Sequence, residues 1–179
     1  MKELIDKALN GDEYAYSKLI DSISSDLNRI AFARLSCIED VEEAISETMY
    51  ESFDSLHTLK DKQYFKTWII KILIHKCNDI HRYNYRHLRL KKKLDSLVES
   101  MNIKSYEQNF ERKLDYEEML RTLKYEERIV FILHYNNRYS VGEIADILNE
   151  NVNTIKSRLL RGRKKLEIFV KEVDDDGRK

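Results

Sequence analysis

The 179-residue chain is neutral overall, with 32 basic and 32 acidic side chains, four glycines and no proline. That composition excludes collagen-like, proline-rich and Gly/Ser low-complexity classes, and the glycines at 11, 142, 162 and 177 lie too far apart for a glycine-rich phosphate loop. With so little to break a helix, an all-α fold is expected. The start, Met1 to Asp6, has no apolar run, so no secretion signal is expected. The longest apolar run, Trp68 to Leu73, is broken by Lys71 and too short to span a bilayer, so no membrane insertion is expected. Cys37 and Cys77 stand in no metal-site spacing, which fits reduced thiols in a cytoplasmic protein.

In chain order, residues 12–35 read as one long helix, with Tyr16, Leu19, Ile20, Ile23, Leu27, Ile30 and Ala31 at helical spacing. A second helix is predicted from about Glu39 to Leu56, with a Ser36–Glu39 capping box and an apolar stripe of Val41, Ala44, Ile45, Thr48, Met49 and Phe53. His57 to Tyr64 is polar and reads as a loop. A third helix starts near Phe65 and runs past Tyr83, apolar nearly all round from Trp68 to Leu73, so its first half should be buried. These helices would form one bundle over 1–86. Residues 87–113 lose periodicity and read as a flexible linker, with room for a helical turn or two. A second small helical domain is expected over 114–171, with one stripe of Leu114, Met119, Leu120 and Leu123 and another of Ile129, Ile132, Leu133 and Tyr135. Residues 172–179 read as an acidic, disordered tail.

The neutral total hides strong patterning. Residues 1–56 carry 5 basic and 13 acidic side chains, and residues 57–93 carry 11 and 2. Residues 94–150 carry 7 and 12, and residues 151–171 carry 7 and 1. A basic block is the electrostatic footprint of phosphate binding, and an acidic block repels it. The first and third blocks therefore suit something other than nucleic acid.

The clearest motif runs from Ser140 to Leu166. Ser140 and Glu143 form a capping box for a short helix in which Ile144, Ala145 and Leu148 face inward. Asn149 can take the left-handed conformation that ends this helix, and Asn151 can cap the next. There Ile155, Leu159, Gly162 and Leu166 share one face, leaving Lys156, Ser157, Leu160, Arg161 and Lys164 outward. This is a helix-turn-helix whose second helix suits the major groove. Arg161 and Lys156 can reach guanine edges, Ser157 can take either role, and Arg158, Arg163 and Lys164 can hold phosphates. Leu160 fits either a thymine-methyl contact or a plain surface leucine.

Four segments resemble extracytoplasmic-function sigma factors, the small group of the bacterial sigma-70 family. Thr154-Ile-Lys-Ser-Arg-Leu-Leu-Arg-Gly-Arg163 resembles T-V-K-S-R-L-x-R-A-R, and Glu126 to Phe131 resembles the helix before it. Asp40-Val-Glu-Glu-Ala-Ile-Ser-Glu-Thr-Met-Tyr-Glu-Ser-Phe53 resembles D-A-E-D-x-V-Q-E-x-F-x-x-x-W. Phe65 to Asp79 with Arg82 resembles F-x-T-W-L-x-x-I-x-x-N-x-C-x-D-x-x-R. Departures are Ser46 for glutamine, Phe53 for tryptophan, His75 for asparagine and Glu150 for an apolar turn residue; Glu150 implies a looser turn. The resemblance implies two helical domains and a factor that binds core RNA polymerase and directs promoter recognition, melting and initiation. It also implies a stress-response regulon, an anti-sigma partner, and a monomer when free or a 1:1 complex with that partner. A downstream anti-sigma or extra C-terminal domain is not expected.

By the same resemblance, core-polymerase binding falls to Asp40, Glu43, Ser46, Glu47, Tyr50 and Glu51, against the clamp coiled coil of the largest subunit, with the flap as a further contact. The stripe Glu43, Glu47 and Glu51, at i, i+4 and i+8, independently suits a basic protein partner. Recognition and melting of the −10 element fall to Lys60, Lys62, Gln63, Tyr64, Lys71, His75, Asn78, Arg82 and Arg86. The polar loop beside aromatics and a basic stripe suits unstacked single-stranded bases. Phe65 and Trp68 read as core, whereas Tyr64 serves as readily as a base platform. Double-stranded −35 DNA would meet Asn153, Thr154, Lys156, Ser157, Arg158, Leu160, Arg161, Arg163 and Lys164. The competing reading is a conventional helix-turn-helix regulator with an N-terminal sensing or dimerising bundle, which leaves the 57–93 basic block without a role. A di-metal carboxylate enzyme would need Glu-x-x-His twice, and no histidine has glutamate three residues before it. No enzymatic activity and no cofactor are expected.

Overall fold

The structure, a computed structural model, describes residues 1–35, 37–95, 119–120 and 122–176, apart from the side chains of 88–95 and 172–176. The chain divides into two compact units, Met1–Glu107 and Gln108–Lys179. Helices form both units, with no strand among the described residues.

In the first unit α1 spans Lys2–Leu9, α2 Glu13–Asp21, α3 Ser24–Arg34, α4 Ile38–Asp54 and α5 Phe65–Asp95. Residues 12–35 thus form two helices rather than one. The break falls at Ile23, which is 2% exposed and leaves helical geometry at φ −125°, ψ −1°. No glycine or proline causes it. The Ser22 hydroxyl donates to the Leu19 carbonyl and that of Ser24 to the Asp21 carbonyl, competing with the helical ladder on both sides of Ile23. α2 is capped by Asp12, whose carboxylate accepts from the Ala15 amide at 2.9 Å. Cys37 stands at the N-cap of α4; the expected Ser36 cap lies outside the described residues.

The core gathers Ile5, Leu19, Leu27, Ile30, Val41, Ala44, Phe65, Ile69 and Leu73, all buried. Each full-sized side chain there contributes about 1.5–3 kcal/mol of transfer free energy. The apolar side chains in the first half of α5 pack inward: Phe65, Ile69, Ile70, Leu73 and Ile74 are buried and Trp68 is half-buried beside Phe65. Lys66, Lys71 and His75 are exposed, so this half is not buried all round as expected. The Tyr16 hydroxyl ties α2 to α4, donating to the Met49 carbonyl at 2.6 Å and lying 2.7 Å from the Ser52 hydroxyl. The span 57–64 is irregular, with 3₁₀ turns at Leu56–Thr58 and Lys62–Tyr64. α5 then continues about two and a half turns into the segment read as linker. No glycine or proline stands between Gly11 and Gly142 to stop it.

In the second unit α6 spans Tyr125–Phe131 and passes into a π-helical turn at Ile132–Asn136; α7 is Val141–Leu148 and α8 Val152–Asp176. Leu114 lies outside the described residues, whereas Leu120, Leu123, Ile129, Ile132 and Leu133 are buried as predicted. Tyr135 is not: it is 43% exposed, because the π-turn adds a residue and carries it off the buried stripe. In α7, Ile147 rather than Leu148 completes the buried set with Ile144 and Ala145. α8 runs into the segment read as a disordered tail, because the sequence offers no helix stop before Gly177.

Candidate nucleic-acid and partner interfaces

Along α4, Glu43, Ser46, Glu47, Tyr50 and Glu51 are all exposed, and Tyr50 is 76% exposed. The stripe is not made of independent carboxylates. Lys76 of α5 reaches Glu51 at 2.7 Å and Glu47 at 3.3 Å. Glu51, and Glu47 after it, hold the Lys76 ammonium above its ordinary range. Asp40 departs from the exposed set: it is half-buried and accepts from the Asn84 amide at 2.7 Å. Glu43 is the member of the stripe with neither of these partners. Lys76 and Asn84 were missed in the sequence because their partners lie on another helix.

In the 60–64 loop, Lys60, Gln63 and Tyr64 are exposed and Lys62 is half-buried. Asp61 organises the turn: its carboxylate accepts from the Gln63 amide N–H at 3.0 Å and from the Gln63 side-chain amide at 2.7 Å. Lys62 pairs with Asp6 of α1, a contact between segments 56 residues apart that local patterning does not reveal.

On α5, Lys71, His75, Arg82 and Arg86 are exposed and fall within about 60° of one another at roughly 100° per residue. The stripe expected from spacing, Lys71, His75, Arg82, Arg86, Arg89 and Lys93, is thus present as far as Arg86; the side chains of Arg89 and Lys93 lie outside the described residues. Asp79 at its edge pairs with His75 at 3.2 Å and with Arg82. Asn78 is half-buried and its amide oxygen accepts from Arg34, so it is already engaged within the bundle. Beneath it, burial pushes the Cys77 thiol up to about 12 against the pull of the Arg34 charge.

The helix-turn-helix is built as its sequence implies. The Ser140 hydroxyl accepts from the Glu143 amide at 3.2 Å, and the Glu143 carboxylate accepts from the Ser140 amide at 2.8 Å. Asn149 sits at φ 51°, ψ 50° and ends α7. Asn151 then accepts from the Asn153 amide at 2.8 Å. On α8, Ile155, Leu159, Gly162 and Leu166 are buried, while Asn153, Lys156, Ser157, Leu160, Arg161, Arg163 and Lys164 are exposed and Thr154 half-buried.

Two expectations about this motif change. Arg158 is half-buried and pairs with Glu150 at 2.7 Å, so it braces the turn rather than standing ready for a phosphate. The same pair, with the Glu150 amide donating to the Ala145 carbonyl at 2.9 Å, closes the turn that Glu150 was expected to loosen. Arg163 stacks over the Tyr135 ring at 5.6 Å and donates to its hydroxyl; Tyr135 in turn packs on Phe131 at 4.3 Å between centroids.

Residues 19–87 match the family "Sigma-70 region 2" and residues 113–166 match "Sigma-70, region 4". The chain is 29% identical over 153 residues to RNA polymerase sigma factor SigV of Bacillus subtilis, covering 83% of this chain and 87% of that protein. It is 23% identical over 192 residues to ECF RNA polymerase sigma factor SigW of the same organism, covering 97% and 98%. In fold it resembles sigma factor RpoE from Bartonella quintana, solved with the anti-sigma factor NepR, at a TM-score of 0.67 and 21% identity over 87% of this chain and 96% of that one. It also resembles CnrH, solved with the cytosolic domain of CnrY, at a TM-score of 0.65 and 20% identity over 94% and 96%. With a region 2 unit and a region 4 unit in order along one chain, and sigma factors as its relatives, the protein belongs to the extracytoplasmic-function branch of the bacterial sigma-70 family and is an RNA polymerase sigma factor.

Proposed function

We propose that the two units divide the work of initiation among three faces. The exposed side of α4, centred on Glu43, Ser46 and Tyr50, docks on a basic segment of core RNA polymerase, with Glu47 and Glu51 contributing after sharing their charge with Lys76. The 60–64 loop and the stripe Lys71, His75, Arg82 and Arg86 take up the −10 element. A base leaves the duplex there, and its capture offsets an unstacking cost of a few kcal/mol. The outer face of α8, with Asn153, Thr154, Lys156, Ser157, Leu160, Arg161, Arg163 and Lys164, reads the −35 element in the major groove, while Arg158 acts through the turn. The domain limits that follow are 1–86, 114–171 and a connecting segment between them.

The observation that carries this reading is the separation of charge on the first unit. Acidic α4 and the basic stripe belong to neighbouring helices of one bundle, and Lys76, which bridges Glu47 and Glu51, lies about 80–140° round α5 from the stripe, which supports holding polymerase and DNA together. The protein acts without chemistry of its own, in the cytoplasm, for a stress-response regulon. Since the Bartonella RpoE is solved with the anti-sigma factor NepR, an anti-sigma factor restrains this chain in a 1:1 complex. Run-off transcription with core polymerase tests the reading: adding the protein should create a promoter-specific start. A conventional regulator confers no start site on core enzyme, so no specific transcript from any promoter library would refute it.

A further inference from the structure

Glu127 on α6 is the one buried carboxylate among the described residues, at 4% exposure. Its Oε2 accepts from the Lys124 amide at 3.1 Å and from the Lys165 ammonium at 2.7 Å, and its Oε1 faces Arg161 Nε at 3.4 Å. Burial alone would push its carboxyl up; Lys165, the Lys124 amide and Arg161 together outweigh this and hold it below the ordinary range. Lys165 and Arg161 lie one turn apart on α8, so one buried charge grips the readout helix at two points.

The grip on Arg161 is specific in its atoms. The bond engages Nε, on the stem side of the guanidinium, while the side chain stays 58% exposed, which leaves the two terminal amino groups outside this contact. Bidentate recognition of guanine O6 and N7 uses two parallel N–H groups. An untethered arginine on a helix in the major groove can instead swing to a phosphate, which carries no sequence information. A carboxylate beside the guanidinium also opposes that swing, because it repels phosphate.

We infer that Glu127 is a positioning residue for −35 readout: holding Arg161 by Nε, it commits the terminal amino groups to a guanine edge. The inference rests on the reading that the outer face of α8 reads the −35 element. It assigns Glu127 a role beyond joining α6 to α8.

The test uses the full chain with core polymerase, competing a promoter against variants carrying one −35 base pair changed at a time. The readout is the discrimination ratio at each position, which does not depend on the fraction of protein folded. The wild-type protein should lose about tenfold at a guanine position, the size of one mismatched pair. Glu127→Gln should flatten that ratio to about threefold or less, leave the other −35 ratios in place, and add nothing in an Arg161→Ala background. Lys165→Met, which keeps the Arg161 contact, should retain the ratio while binding weakens. If Glu127→Gln weakens binding to every promoter equally, the residue is only a structural tie and the inference is overturned. If Arg161→Ala itself weakens all promoters equally, base readout by Arg161 has failed, and that outcome is separately visible.

Discussion

Replacing Gly162 by alanine tests the rotational phase of the readout helix. Gly162 faces the interior of the second unit, and a Cβ built there would meet Leu123 Cδ2 at 3.6 Å and Phe131 Cδ2 at 3.8 Å. Both are ordinary van der Waals separations, so the methyl group enters a space that accepts it. Alanine in a helix interior is favoured over glycine by about 0.8–1.0 kcal/mol. Burying the methyl adds roughly 0.8 kcal/mol at most. Gly162→Ala should therefore stabilise the second unit by about 1–2 kcal/mol, a rise in midpoint of about 4–8 °C per kcal/mol for a unit of this size. Thermal melts of the full chain can separate the units, because the sole tryptophan, Trp68, reports the first one by fluorescence while circular dichroism at 222 nm follows both. The dichroism transition not shared with Trp68 should move up and the Trp68 transition should stay. A lower midpoint would mean that the glycine is packed too tightly for a methyl group. The phase of α8 would then be rotated, and with it the face assigned to DNA.

Four further outcomes are expected. Glu43→Lys should lower affinity for core polymerase by about tenfold in a pull-down titration, the scale of reversing a charge facing an oppositely charged partner, with unchanged helix content; unchanged affinity would remove α4 from the interface. Changing Lys62 and Gln63 to alanine should reduce open-complex formation on duplex promoters more than on templates already melted at −10, and equal losses would argue against a melting role. Iodoacetamide at pH 8 should label the exposed Cys37 and spare Cys77, whose thiol is buried and raised to about 12, giving one label per folded chain by mass spectrometry. Because that folded-state value lies above the ordinary value of 9.0, Cys77 favours the folded state below pH 9.0 and ceases to as pH climbs towards 12, so stability should fall across that window.

What could be read from the sequence was whatever depends on spacing along one helix. The turn of the helix-turn-helix was legible because Asn149 and the Ser140–Glu143 pair act within a few residues of themselves. The basic stripe of α5 was legible because 71, 75, 82 and 86 return to one side of any helix. The break at Ile23 was not, since serines commonly sit inside helices and only their hydroxyl bonds to Leu19 and Asp21 show the ladder giving way. Nor were Lys76, Asp6 and Glu127 singled out. Each acts on a helix distant in sequence, and such pairings follow from packing rather than from period. Arg158 shows the same limit in reverse: its place in a family-like motif suggested DNA, but a glutamate eight residues earlier, peculiar to this turn, claims it.

The length of α5 has a consequence for which changes the chain can absorb. From His81 to His87 every residue but Asn84 is exposed, so little packing there opposes a change of side chain. A change of length is different. One residue inserted between His75 and Arg82 would turn Arg82 and Arg86 by about 100° relative to Lys71 and advance them by about 1.5 Å. Asn84 would swing away from Asp40 in the same movement. Four inserted residues would nearly restore the angle, within about 40°, but would set the two arginines about 6 Å further along the axis. This stretch should therefore vary in composition among natural variants of the chain while its residue count stays fixed, the opposite of what surface exposure alone suggests.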